Sequence, residues 1–137
     1  MKSELVVVED SDIDFDLLRI TLKALHFELP LRRLRSVDEA MDWLRTPTGT
    51  PALMLLDLNL NSRDGREVLL ALRKDTRLGS LPVVVLTTSS NPHDVETSYR
   101  AGANGYMVKS VDYERFENHM RIFVDYWFRG TCLLASR

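Results

Sequence analysis

Cysteine and long apolar runs are nearly missing from this chain of 137 residues. The single cysteine, Cys132, excludes an internal disulfide and a cysteine-based metal site, and it fits a reducing compartment. The first apolar run, residues 5–8, ends at Glu9. That run is too short for a secretory signal or a membrane span. We therefore expect a cytoplasmic protein with no membrane partner.

An excess of positive charge is also missing. The 18 lysines and arginines are interspersed with 20 acidic residues, which gives a formal net charge of −2. Since no broad positive field exists to hold a phosphate backbone, we expect no nucleic-acid partner. The composition, 45% apolar and 28% charged, is that of an ordinary globular protein. The length suits a single domain over residues 1–137.

Short apolar runs recur along the chain at the spacing of strands. Residues 5–8, 52–56 and 81–86 are continuous apolar runs, the pattern of strands that are buried on both faces of a parallel sheet. Residues 30–35 and 105–108 are weaker strand candidates. The sequence therefore predicts five strands.

Helix signals fill the segments between these strands. Ser11 and Ser36 are N-cap candidates, Asn91 with the following proline starts a further helix, and Gly102 ends it. The last helix is predicted over residues 113–128. Strictly alternating strands and helices predict a (βα)₅ chain with a parallel sheet and helices on both faces. In such sheets ligands bind beyond the carboxyl ends of the strands.

Polar side chains stand at those carboxyl ends. They are Glu9, Asp10, Asp57, Thr87 and Lys109. Crowded carboxylates raise one another's pKa unless a cation neutralises them, and Mg²⁺ suits such an oxygen site. A carboxylate beside that ion could attack phosphorus to form an aspartyl phosphate, with a lysine and a hydroxyl stabilising the phosphoryl oxygens.

These residues also make the chain resemble the receiver domain of two-component response regulators. The resemblance covers essentially the whole chain and is carried by the E-D pair after the first strand, Asp57 in D-L-N-L-N-S-R-D-G, Thr87, Tyr106 and Lys109. It implies a flavodoxin-like, doubly wound sheet with strand order 2-1-3-4-5. It also implies a sensor histidine kinase as partner.

The resemblance further implies a role for each matching residue. Asp57 would be the phosphoacceptor, assisted by Thr87 and Lys109. Thr87 and Tyr106 would form the switch pair, in which Thr87 moves toward the phosphoryl group and the Tyr106 ring turns inward. The implied ligands of Mg²⁺ are Glu9, Asp10, Asp57 and the backbone carbonyl of Asn59.

A subgroup is also indicated. The runs D-G-R-E-V-L, L-P-V-V-V-L-T-T-S and V-K-S, with the tail F-V-D-Y-W-F, are similar to small single-domain regulators that partner phytochrome-type histidine kinases. Asn61 and Ser110 stand where most receivers have proline, so we expect a trans peptide bond after Lys109. Thr88 stands where many receivers have alanine, so we expect it to narrow access to the phosphoryl site.

Three further acids and the three histidines are interpreted as structural. Asp12 and Asp14 lie in a first helical turn, where the helix dipole favours acids, so we prefer capping over metal binding. We interpret Asp64 with Gly65 as turn chemistry. The histidines are far apart in sequence and are interpreted as neither ligands nor phosphorelay residues; they are His26, His93 and His119.

The last helix carries more apolar residues than one buried face needs. A stripe that can cover the sheet consists of Phe116, Met120, Phe123 and Trp127. A large exposed patch is rare in monomers, so we predict an isologous homodimer with residues 112–137 as its extension. The predicted interface residues are Ile122, Tyr126, Trp127 and Phe128. The alternative is that these are scattered, half-exposed side chains.

The function predicted from the sequence is that of a single-domain response regulator. It accepts a phosphoryl group from a sensor kinase on Asp57 with Mg²⁺, loses it slowly to water, and has no independent substrate turnover. It signals through dimerisation, an effector or a phosphotransfer protein. One alternative is an aspartate-nucleophile phosphatase, against which Asn59 occupies the usual place of the second acid. The other is a receiver-like interaction module that is not phosphorylated.

Overall fold

The computed structural model describes residues 3–46 and 48–130. Its strands are β1 Ser3–Val8, β2 Leu31–Leu34, β3 Thr50–Leu56, β4 Asn59–Leu60, β5 Arg63–Asp64, β6 Val83–Thr87 and β7 Gly105–Val108. Its helices are α1 Asp12–Ala24, α2 Val37–Arg45, α3 Arg66–Lys74, α4 Pro92–Arg100 and α5 Tyr113–Val124, followed by a π-helical turn Asp125–Arg129.

The five longer strands form one parallel sheet in the order β2-β1-β3-β6-β7. Counted among these five strands alone, this is the predicted order 2-1-3-4-5, and the flavodoxin-like fold is confirmed. The order reverses between β1 and β3, so their carboxyl ends open into the crevice where ligands bind in such sheets. Within the described residues, no helix is long and apolar enough to cross a bilayer.

Alternate residues of each strand pack into two separate hydrophobic layers, because successive side chains of a strand point to opposite faces of the sheet. Val6, Met54 and Val85 face the layer that α2 and α3 cover. The residues next to them in the chain face the layer covered by α1 and α5, where Phe116 and Phe123 are almost fully buried. Burial on both faces explains why these strands are continuous apolar runs.

The predicted helix boundaries are set by the expected caps. The Ser11 hydroxyl accepts the Asp14 backbone N–H, and the Ser36 hydroxyl accepts that of Glu39. The Asn91 side chain caps α4, and the chain leaves that helix through Gly102 at φ 111°, where a side chain would be strained.

A small antiparallel hairpin, β4–β5, follows the third long strand and was missed in the sequence. Its two-residue turn places Asn61 at φ 52° and Ser62 at φ 66°, the positive pair of a type I′ turn. Proline fixes φ near −65°, so a proline at position 61 could not form this turn. The asparagine that departs from the family pattern therefore matches the local backbone. Two-residue strands are too short to give a periodic signal.

The last helix is shorter than predicted. The α-helix ends at Val124, and the chain continues in the π-helical turn before Gly130. Phe128 packs edge-on against Phe27 and Phe123, with ring centroids 5.0 and 5.9 Å apart, and so lies partly inside the chain's own core. The part of the predicted dimer extension beyond residue 130 lies outside the described residues.

Candidate functional site

Three acids converge at the carboxyl ends of the two central strands. Glu9 follows β1 and Asp57 follows β3, and both are buried, with 5% and 7% of their surface exposed. Asp10 is half-buried. Each of the three offers a carboxylate oxygen, and these oxygens lie within 4.8 Å of one another. The structure thus brings together the acids that the sequence predicted.

Lys109 reaches this group from the edge strand β7. Its backbone N–H donates to the Thr87 carbonyl oxygen at 2.7 Å, which fixes the start of the side chain. Its Nζ lies 2.6 Å from Glu9 Oε1, 2.9 Å from Asp57 Oδ2 and 2.9 Å from Asp14 Oδ2. One ammonium group therefore serves three carboxylates.

Burial and charge shift the ionisation of the site. Burial raises the pKa of Glu9 to about 7, although the hydrogen bond from Lys109 works in the opposite direction. Burial lowers the pKa of Lys109, but the Glu9 hydrogen bond and the Asp57 charge outweigh it and leave that pKa above its ordinary value. Lys109 therefore stays charged, while Glu9 is poised to bind a proton or a cation.

The donor set fits a divalent cation. Carboxylate oxygens are the ligands that Mg²⁺ and Mn²⁺ prefer. A single lysine cannot offset the charges of Glu9, Asp10 and Asp57, so a cation at this point would relieve their mutual repulsion. The predicted ligation by the Asn59 carbonyl stays a prediction. The Asn59 backbone N–H donates to Asp57 Oδ1 at 3.1 Å, which places the residue beside the site.

The β4–β5 hairpin holds the acids from one side. The Asn61 backbone N–H donates to Asp10 Oδ2 at 3.0 Å, a hydrogen bond that proline could not make. A Cβ atom added at Gly65 would lie 2.1 Å from the Asp57 carbonyl oxygen, so only glycine fits there. Gly65, interpreted together with Asp64 as simple turn chemistry, thus also packs the chain against the Asp57 backbone.

Arg66 joins this hairpin to α4. Its Nε lies 2.9 Å from Asp64 Oδ1, and its guanidinium also contacts Thr97 and lies 3.5 Å from Asp94. The sequence did not predict a role for this arginine, because its partners come from two elements that are about 30 residues apart in the chain, β5 and α4. The contact ties the loop after β3 to the helix after β6.

The predicted switch residues lie on neighbouring strands. Thr87 ends β6 and is buried, and Tyr106 pairs with Val85 in the register of β6 and β7. The half-buried Tyr106 hydroxyl donates to the Ser89 carbonyl oxygen at 2.8 Å, and burial raises the pKa of Tyr106. Tyr106 is thus attached to the loop that follows Thr87. Their switching role stays a prediction.

Asp12 and Asp14 behave differently from each other. Neither belongs to the cation-binding group. Asp12 Oδ1 accepts hydrogen bonds from Arg33 and Arg35, which lower the pKa of Asp12. Asp14 instead turns its carboxylate to Lys109. Helical periodicity places the two acids on different sides of α1, but the sequence alone does not show which of them faces Lys109.

Cavities adjoin the site on two sides. One of about 270 Å³ lies under α1 and α5 and is lined by Glu9, Asp57 and Lys109 together with apolar core residues. A second of about 370 Å³ is lined by Asn59 and Thr87, with other polar residues of the hairpin and of the loop before α4. The first cavity therefore reaches Asp57 itself, and the second adjoins Asn59 and Thr87. Every described peptide bond is trans, including the predicted one after Lys109.

The predicted dimer residues divide into two pairs. Ile122 and Tyr126 are 55% and 58% exposed. Trp127 and Phe128 are half-buried and pack against the core layer under α5. The interface itself stays a prediction, and the outward pair is its accessible part.

The chain matches the family model described as response regulator receiver domain over residues 5–121. It is 36% identical to the response regulator Rcp1 of Synechocystis, over 96% of this chain and 93% of that protein. The crystal structure of the phosphorylated cyanobacterial phytochrome response regulator RcpA superposes with a TM-score of 0.88 at 32% identity, covering 98% of this chain and 99% of that one. The Mn²⁺-bound form of Rcp1 gives a TM-score of 0.88 at 36% identity, with coverage of 97% and 99%.

Proposed function

This chain belongs to the response regulator receiver domain family, and from that membership we propose that it accepts a phosphoryl group on Asp57 from the phosphohistidine of a sensor kinase. The observation that carries the proposal is the position of Asp57. Its carboxylate is buried, lies within 4.8 Å of two further acids and contacts a charged lysine. A nucleophile, a cation-binding group and a fixed positive charge meet at one strand end.

The side chains account for the transfer step. A carboxylate oxygen of Asp57 forms a bond to phosphorus while the bond from phosphorus to the donor nitrogen breaks. The donor imidazole keeps that electron pair and takes up a proton. Lys109, already 2.9 Å from Asp57, offsets charge on the phosphoryl oxygens, and the Thr87 hydroxyl donates to one of them. Slow attack by water then releases phosphate, so the chain is a signalling module with no other substrate.

Mg²⁺ would be held by Glu9, Asp10 and Asp57, with the Asn59 carbonyl as a further ligand. When bound, it offsets negative charge that builds up between the acids and the phosphoryl group. The oxygen-only donor set on this chain supports the assignment, as does a relative crystallised in a Mn²⁺-bound form.

The proposed donor is a phytochrome-type histidine kinase. The similarity to RcpA, described as a cyanobacterial phytochrome response regulator, supports this choice. We assign residues 1–137 to one receiver domain in the cytoplasm. Its signal would pass through a homodimer formed by Ile122 and Tyr126 of the 112–137 extension, through an effector, or through a phosphotransfer protein.

Phosphotransfer from such a kinase tests the function. A radiolabelled, autophosphorylated phytochrome-type kinase is mixed with wild type, Asp57→Asn and Asp64→Asn, in the presence of Mg²⁺. The hairpin acid Asp64 is a matched control because it binds Arg66 and lies outside the cation group. We expect label to move to wild type and Asp64→Asn but not to Asp57→Asn. The proposed donor would be contradicted if the kinase kept its label when mixed with wild type but lost it to a different receiver.

A further inference from the structure

Lys109 is bound by three carboxylates that differ in their other interactions. Glu9 and Asp57 belong to the cation-binding group, whereas Asp14 does not. The Lys109 side chain is only 10% exposed, so its ammonium group has little room to move to other partners. These partners therefore differ in whether they can still hold Lys109 once a cation and a phosphoryl group occupy the site.

A bound divalent cation competes for two of these partners. Carboxylate oxygens of Glu9 and Asp57 that face a cation share their charge with it, and their attraction for the lysine weakens. The phosphoryl group uses Asp57 as well. Asp14 is the one carboxylate beside Lys109 that neither the cation nor the phosphoryl group takes.

Asp14 is also built for this position. It lies in the first turn of α1, where its backbone N–H donates to the Ser11 capping hydroxyl at 3.2 Å. One turn later Leu18 is buried against the sheet, which fixes the helix relative to the strands. The carboxylate is therefore presented to Lys109 from a rigid element, 2.9 Å from the Nζ.

We propose that Asp14 is a positioning residue that holds the Lys109 ammonium at the phosphoryl site when Glu9 and Asp57 are engaged by the divalent cation. The inference rests on the proposed function and deepens it. Asp14 touches neither the cation group nor the reacting atoms, so it acts through Lys109 alone. Its effect should therefore depend on whether the cation is bound.

The chain offers a closely matched control. Asp12 is the same residue type in the same helical turn, but its carboxylate binds Arg33 and Arg35 on the other side. Asp12→Asn therefore changes the charge of the first turn without touching Lys109. Asp14→Glu keeps the charge and serves as the rescue variant. All four proteins are compared at full length.

Amine labelling followed by mass spectrometry reads the position of Lys109 directly. Exposed Lys23 and Lys74 provide an internal reference for reagent activity. We expect slow labelling of Lys109 in wild type with and without Mg²⁺. In Asp14→Asn we expect labelling to rise several-fold with Mg²⁺ and to stay near wild type without it, while Asp12→Asn and Asp14→Glu follow wild type.

The kinetics give a second readout. Asp14→Asn should lower the maximal rate of phosphoryl uptake from acetyl phosphate without changing the acetyl phosphate concentration that gives half of that rate.

Equal labelling of Asp14→Asn and wild type with Mg²⁺ would overturn the inference. A rise in labelling that is the same without Mg²⁺ would also overturn it, because it would indicate a purely structural role. Mg²⁺ binding is measured by calorimetry on the same samples. If wild type binds no Mg²⁺, both the inference and the proposed function fail; if it binds and labelling is unchanged, the inference fails alone.

Discussion

We predict that the environment of Glu9 makes cation binding depend on pH. Burial raises the pKa of this carboxyl to about 7, and a cation binds only its deprotonated form. Acidification through neutrality should therefore weaken binding. From about pH 8 to about pH 6 the deprotonated fraction falls roughly tenfold, which corresponds to about 1.4 kcal/mol of apparent binding free energy.

Calorimetric titration with Mg²⁺ across this range measures the effect. Wild type should lose roughly tenfold in affinity between the two ends. Glu9→Gln should bind Mg²⁺ more weakly at high pH and show a nearly flat profile, since the titrating ligand is gone. Glu28→Gln, at an exposed site before β2, should behave like wild type. A wild-type affinity that stays constant over this range would refute the reasoning.

The raised pKa of Glu9 also sets the direction in which the stability of the metal-free protein changes with pH. A carboxyl whose pKa is higher in the folded than in the unfolded chain stabilises the fold in its protonated form. That contribution is fully present below the ordinary value of 4.5 and is lost as the pH rises through about 7. Added Mg²⁺ should reverse the loss, because it binds the folded, deprotonated site.

Three further changes test the scaffold and the predicted dimer. Arg73→Ala removes a guanidinium that donates to the carbonyls of Gly79, Leu81 and Gly102, so chemical denaturation should show a loss of about 2–3 kcal/mol; an unchanged midpoint would contradict this. Asn61→Pro cannot form the hairpin turn, so it should lower the free energy of unfolding by about 1–3 kcal/mol and weaken Mg²⁺ binding. Calorimetry and denaturation that both match wild type would contradict this. Tyr126→Arg should give a monomer by light scattering while Tyr99→Arg, also exposed, stays dimeric, and equal masses for both variants and wild type would count against the interface.

The parts of this molecule that the sequence predicts are those set by burial and by strand ends. Continuous apolar runs locate the strands because both faces of the sheet are covered, and the polar residues that stop those runs fall at the carboxyl edge by topology. Asp57 and Lys109 are 52 residues apart in the chain, yet these two rules place both at the carboxyl edge of the sheet. Local capping chemistry likewise sets the helix starts at Ser11 and Ser36.

What the sequence did not predict depends on single side-chain directions and on short backbone segments. The β4–β5 hairpin is two residues per strand, below any periodic signal. The different partners of Asp12 and Asp14 follow from a rotation of about 200° between alternate helix positions, but which side meets Lys109 is decided by how α1 packs. The α-helix changes to a π-helical turn after Val124, where Phe128 packs against Phe123, and the apolar stripe could not show this change.

Intact mass spectrometry after incubation with acetyl phosphate tests the central claim most directly. Wild type, Asp57→Asn and Asp64→Asn are compared with and without Mg²⁺ in rapidly quenched samples. We expect one added phosphoryl group on wild type and on Asp64→Asn, with Mg²⁺ only, and none on Asp57→Asn. An adduct that persists in Asp57→Asn, or none on wild type even when a kinase is offered as donor, would contradict it and favour an interaction module that is not phosphorylated.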